Sequence, residues 1–164
     1  LGAAPGSWTL YAAEKVGPAG RVLAVDLSPM SHPPGDRIVV LQADALDLTD
    51  ETLGMFAPYD VVMSDMAPKT SGSKVADQAR SEALVGGAVA VAARLGRAGS
   101  AFVGKLFMGG GFQAIRATLV GSYREVRVMR PEATRAQSSE VFLVALGKKG
   151  EPDLRAAPAG GPAP

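Results

Sequence analysis

The sequence predicts an α/β fold, a mostly parallel sheet with an antiparallel last strand and helices on both faces. Three observations predict it. Short β-rich runs closed by an acid recur at 21–26, 37–44 and 60–65, segments with helical spacing separate most of the runs, and the last two runs have only a polar loop between them. The 164 residues, 47% hydrophobic and 20% charged, suit one domain with a sizeable core and lie outside the disordered range. No apolar run approaches the roughly 18 residues of a membrane span. The absence of Cys removes disulfide frameworks, cysteine zinc sites and thiol nucleophiles together. With no signal-peptide pattern at its start, the chain reads as a cytoplasmic monomer without structural metal and without a membrane partner.

The elements follow in order. A Gly-rich turn, Gly2-Ala3-Ala4-Pro5-Gly6, opens the chain and leads into a helix over 8–16, stopped by Gly17-Pro18. Residues 21–26 are an apolar run ended by Asp26, so a buried strand; 28–35, rich in Pro and Ser, form a loop; 37–44 repeat the strand pattern to Asp44. A short helix over 49–56 has Asp50 and Glu51 in its first turn, where the helix dipole favours acids. Residues 60–65 are the next strand, 66–74 a loop with Pro68 and Gly72, and 76–95 a long Ala/Val-rich helix. Strand 100–107, helix 112–120 opened by Gly109-Gly110-Gly111, and strands 125–129 and 140–146 around the loop 131–139 complete a domain over 1–149. The Ala/Pro/Gly composition of 150–164 predicts a disordered tail.

In a doubly wound sheet, ligands lie outside the carboxyl ends of the strands, which here carry Asp26, Asp44, Asp65 and Lys105. A dinucleotide fits this rim poorly: the turn has Gly at 2 and 6 only, and Pro5 stands where an amide donor to pyrophosphate is wanted. An adenosine without phosphates fits better, with Asp26 accepting from the ribose hydroxyls and Asp44 from the adenine amine. S-adenosylmethionine has that shape. Either acid also suits a plain cap or surface position, Trp8 suits the core as well as a cofactor pocket, and His32 reads as a surface residue. Lys105 is the most informative side chain. It interrupts an otherwise apolar strand, where an ammonium is costly unless it is paired with carboxylates or put to chemical use. Asp65, at the preceding strand's end, and Glu140, at the start of the last strand, can both reach it in this fold.

Charge divides along the chain. Residues 1–66 hold 3 Lys/Arg against 9 Asp/Glu, whereas 67–164 hold 14 against 7, so an acidic cofactor half precedes a basic half suited to phosphates. Lys69, Lys74, Arg124, Arg127, Arg130 and Arg135 are the candidate phosphate contacts, giving affinity rather than sequence readout.

Four ordered segments, Leu1-Gly-Ala-Ala-Pro-Gly-Ser-Trp8, Met63-Ser-Asp-Met-Ala-Pro68, Val103-Gly-Lys-Leu-Phe107 and Ser138-Ser-Glu-Val-Phe142, resemble the FtsJ/RrmJ (RlmE) ribosomal RNA ribose 2′-O-methyltransferases. The resemblance runs from Leu1 to about Lys149. It implies a Rossmann-like S-adenosylmethionine-dependent fold, with cofactor contacts at Gly6, Trp8, Asp26, Asp44 and Asp65. It also implies methylation of a uridine in large-subunit (23S) ribosomal RNA, with ribosomal RNA or the large subunit as partner. The family carries a Lys-Asp-Lys-Glu tetrad, and Asp65, Lys105 and Glu140 match its last three members. The first Lys, and a central strand, are expected upstream of the glycine turn and so outside this sequence. A chain that truly began at Leu1 is accordingly expected to be unstable. Ser7 and Lys69 depart from the family's usual Gly and Asn without removing a catalytic group. Lys105 reads as base or as the group that orients the hydroxyl. A transfer RNA ribose methyltransferase of the same family, a small-molecule methyltransferase and a noncatalytic RNA- or cofactor-binding fragment are the alternative readings.

Overall fold

Each strand and helix forms where local chemistry supports it. The computed structural model describes residues 1–30, 36–130 and 139–150; His32, Arg135, Ser138 and the tail from 151 onward lie outside the described residues. Helix α1 (Ser7–Lys15) leads through a short turn to β1 (Val22–Asp26), and β2 (Ile38–Gln42) follows. The four-residue α2 (Asp50–Leu53) starts on Thr49, whose hydroxyl accepts from the Thr52 amide at 3.3 Å, with Asp50 and Glu51 at the positive end of the helix. After β3 (Tyr59–Ser64) comes α3 (Lys74–Leu95), which starts two residues before the spacing predicts because Ser73 caps it, accepting from the Ala76 amide. Strand β4 (Gly96–Phe107), helix α4 (Phe112–Ser122), β5 (Tyr123–Met129) and β6 (Glu140–Lys148) complete the chain.

The α/β class and the mixed strand directions are as expected, with two refinements. β6 is antiparallel to both β4 and β5 and lies between them, so the reversed strand sits one place in from the edge and β5 forms the edge. The strands also divide into two hydrogen-bonded groups, parallel β1-β2 and the mixed β3-β4-β6-β5. Between β1 and β3 lies a cavity of about 690 Å³, lined by Val22 and Ala24 on one side, Val61 and Met63 on the other, and Tyr11 of α1. Residues 1–3 bridge it at one end: the Ala3 amide donates to Val25 O at 3.2 Å, and Leu1 O accepts from the Asp65 amide at 3.0 Å.

α3 and α4 cover one face of the larger group. Phe102 and Leu106 of β4 and Leu143 of β6 are fully buried there, against Val85 and Ala88 of α3 and Leu119 of α4. The other face carries Lys105, Phe107, Glu140 and Phe142, since directly opposed residues in an antiparallel pair share a face. α1 reaches that face through Trp8, whose ring stacks on Phe142 at 5.5 Å. Lys148, the last residue of β6, and Lys149 after it serve the fold: Lys148 Nζ donates to Gly96 O at 2.7 Å, and Lys149 Nζ to Val120 O and Gly121 O at 3.0 Å, placing cations on the helix C-termini. Phe102→Ala is expected to cost about 3–5 kcal/mol, the usual range for emptying a buried phenyl site, read as a lower urea midpoint with unchanged slope.

Candidate active site

The site assembles at the carboxyl ends of β1, β2 and β3 and at the far end of β4. Lys105 is the third-last residue of β4 and points away from the α3 face. Its Nζ lies 2.9 Å from Asp65 Oδ1, with side chains 15% and 31% exposed, so the pair is shielded yet open to a ligand. Asp65 is the residue after β3, and the register Ser64↔Gly104 places it beside Lys105. Glu140 lies opposite Phe107 on the same face. Thus two carboxylates and one ammonium, separated by up to 75 positions in sequence, share one side of the sheet end.

The glycine turn is held between the two strand groups. Asp26 accepts from the Ala4 amide at 2.8 Å through Oδ2 and from the Ser28 amide at 2.7 Å through Oδ1, so both oxygens already anchor backbone. The Leu1 nitrogen donates to Met63 O at 2.8 Å and the Leu1 carbonyl accepts from the Asp65 amide, while Asp26 holds the Ala4 amide. Those two acids therefore flank the turn. Gly6 begins α1 at φ +123°, and Gly2, at φ +69°, brings its Cα so near the chain after β3 that an added Cβ would fall 2.6 Å from Met66 N. The Ala43 amide donates to Asp26 O, which brings Asp44 to the same rim; its Oδ1 accepts from the Leu46 amide at 2.9 Å. Trp8 stands over Phe142, the residue directly across from Lys105, so it borders the Lys105 face as well as the cavity.

The basic residues are less convergent. Lys69 is exposed in the loop between β3 and α3, Lys74 is exposed as the first residue of α3, and Arg124, Arg127 and Arg130 are exposed on or just after β5. Arg127 shares the Lys105 face, through the pairings of Arg127 with Val144 and Lys105 with Phe142, but bonds Glu125; Arg124 alternates to the other face. Arg135 lies outside the described residues.

Polar residues in the first turns of α3 escaped the sequence reading. Buried Asp77 accepts from the Ser71 amide at 2.9 Å and from its hydroxyl at 2.8 Å, which holds the Asp77 carboxyl below the usual carboxylate range and pins the loop after Asp65. The signal available was Asp77, Gln78, Ser81 and Glu82 clustered at the start of an otherwise Ala/Val-rich helix. Among the described residues, no group of three or more His, Asp or Glu could hold a metal ion, and no helix is long and apolar enough to cross a membrane.

Comparison with known proteins adds a family. Residues 1–148 match the family model described as FtsJ-like methyltransferase. Over 149 residues the chain is 58% identical to ribosomal RNA large subunit methyltransferase E of Sorangium cellulosum strain So ce56, covering 91% of this chain and 70% of that protein. The protein of the same name from Myxococcus xanthus strain DK1622 is 48% identical over 155 residues, covering 91% and 71%. Among solved structures, human methyltransferase-like protein 13 in complex with SAH superposes with a TM-score of 0.62 at 20% identity, covering 96% of this chain and 72% of that one, a likeness of fold.

Proposed function

The chain belongs to the FtsJ-like methyltransferase family, and from that premise we propose that it methylates the ribose 2′-hydroxyl of a uridine in large-subunit ribosomal RNA, using S-adenosylmethionine. The observation that carries the reading is the shielded Lys105–Asp65 pair on the same sheet face as Glu140, next to a rim of strand-end acids. Relatives named for large-subunit ribosomal RNA supply the acceptor class.

The residues present fit the cofactor. A carboxylate offers about four lone-pair sites, so Asp26 can accept from ribose hydroxyls while it keeps its bonds to Ala4 and Ser28. Asp44, at the neighbouring strand end, suits the adenine amine, and Gly2, Ala3 and Trp8 border the adjoining cavity. When bound, S-adenosylmethionine supplies a methyl group on a positively charged sulfur. The chain's own task is to place a weakly nucleophilic hydroxyl in line with that methyl. An ammonium gripped by Asp65 has N–H bonds left to donate; one to the 2′-oxygen orients its lone pair and takes up negative charge as the hydroxyl proton leaves for solvent. Glu140 supports Lys105 from β6. Orientation of this kind can contribute roughly 7–11 kcal/mol in favourable cases, more than the 10²- to 10⁴-fold of a placed proton acceptor.

Labelled methyl transfer to large ribosomal subunits, their isolated RNA and transfer RNA, run side by side, tests the acceptor. Label in large-subunit RNA is the expected result; label confined to transfer RNA would reassign the substrate, and cofactor binding without transfer to any RNA would point to a binding role. Exposed Lys69, Lys74 and Arg130 are read as phosphate contacts. About three such contacts, at a slope near −0.7 each, predict that a roughly fourfold rise in salt weakens RNA binding about 20-fold. A flat salt dependence would remove these residues from the interface.

A further inference from the structure

Helix α3 turns a second set of polar groups toward β4 rather than toward solvent. Gln78, Ser81 and Glu82 stand at i, i+3 and i+4, on one face of the helix, and each bonds backbone just past Lys105. Ser81 Oγ accepts from the Phe107 amide at 3.0 Å, Gln78 Nε2 donates to Met108 O, and Glu82 Oε1 accepts from the Gly111 amide at 2.7 Å. Ser81 is 2% exposed. On the opposite side of the same stretch, the Met108 amide donates to Ser139 O at 2.8 Å, immediately before Glu140.

The register explains why an acceptor is needed there. β3 ends at Ser64, opposite Gly104. Consecutive amides of a strand point to opposite neighbours. The Met108 amide points to β6, so the Phe107 amide points to the side on which β3 has already stopped. A buried N–H without a partner is costly, and the Ser81 hydroxyl supplies the partner that the sheet does not. Phe107 is two residues from Lys105 and directly opposite Glu140, so the backbone that Ser81 grips is the backbone whose pairing with β6 puts Lys105 and Glu140 on one face, one register step apart.

We propose that Ser81, flanked by Gln78 and Glu82, is a positioning residue that fixes Lys105 relative to Glu140 through the Phe107 backbone, an inference that rests on Lys105 acting on the acceptor hydroxyl. The arrangement uses a helix already buried for the core, so the same contact surface that stabilises the sheet also sets the geometry of its functional end.

Ser81→Ala, which removes one oxygen and adds no bulk, tests this in the full chain beside Lys105→Ala. Steady-state transfer kinetics, cofactor affinity and thermal midpoint are measured for each. Ser81→Ala is expected to lower kcat about 10- to 100-fold, the loss that a displacement of about an ångström brings, with KM for S-adenosylmethionine held within about twofold. Glu82→Gln keeps an oxygen acceptor for the Gly111 amide and retains kcat, whereas Glu82→Ala loses it. A wild-type kcat in Ser81→Ala overturns the inference while Lys105→Ala is inactive. So does a Ser81→Ala protein whose kcat, cofactor affinity and midpoint fall together, the signature of general loosening. Failure of the underlying reading looks different, because Lys105→Ala then keeps its transfer rate.

Discussion

Replacing Lys105 with alanine is expected to lower kcat for methyl transfer about 10²- to 10³-fold, the cost of removing one preorganised donor from a developing negative charge. The substitution takes away the ammonium that pairs with Asp65, yet Asp65 is 31% exposed and water can solvate the carboxylate left behind. The fold is therefore expected to survive, and the rim of Asp26 and Asp44 on the other strands to keep its affinity for S-adenosylmethionine. Single-turnover transfer combined with calorimetric cofactor binding separates the two quantities. A Lys105→Ala protein that binds cofactor and transfers methyl at the wild-type rate would strip Lys105 of its role.

Gly2→Ala is expected to be the most damaging small substitution in the glycine turn. At φ +69° a Cβ costs about 1–2 kcal/mol. The position is also crowded: the Cβ would lie 2.6 Å from Met66 N, 2.8 Å from Met66 Cα and 2.9 Å from Asp65 C, all backbone atoms that no side-chain rotation can move aside. Overpacking of this kind adds about 1–3 kcal/mol, for roughly 2–5 kcal/mol in all. Because the obstructed backbone carries Asp65, cofactor and acceptor sites are both expected to suffer. Gly17→Ala provides the control, since Gly17 has φ +71° with nothing within 4 Å of the added carbon and so isolates the conformational cost. Urea denaturation measures the difference. Equal losses at Gly2 and Gly17 would mean that the turn does not approach Met66 as closely as the structure places it.

Much of this was legible in the sequence wherever the signal is local. Runs such as 21–26 announce their strands by composition, and the acid that closes each run falls at a strand end because solvent begins there. Lys105 announces itself because an ammonium inside an apolar run needs a reason. Partnership across the chain was not legible. No local pattern shows that β6 inserts between β4 and β5, or that Asp26 spends both oxygens on the Ala4 and Ser28 amides. Nor does the positive charge of the C-terminal region disclose its division of labour: Lys148 and Lys149 hold helix ends, Arg127 bonds Glu125, and Arg124 alternates away from the Lys105 face. The polar start of α3 was visible as composition, but its meaning depends on where β3 stops beside β4, a fact of register.

Residues 1–4 carry hydrogen bonds to both strand groups, from Ala3 to Val25, from Ala4 to Asp26 and from Asp65 to Leu1. Strain introduced at Gly2 is transmitted to Asp26 through the Ala4 amide and to Asp65 through its own amide bond to Leu1 O. That connection explains why a substitution several residues from any reacting atom is expected to rival Lys105→Ala in its consequences.

The most direct test of the central claim is chemical. Large-subunit RNA labelled by the enzyme from methyl-labelled S-adenosylmethionine is digested to nucleosides, and the labelled species is identified. Label in a 2′-O-methylated uridine is the predicted result. Label on a base, with none on ribose, would contradict the assignment of Lys105, Asp65 and Glu140 to a ribose hydroxyl.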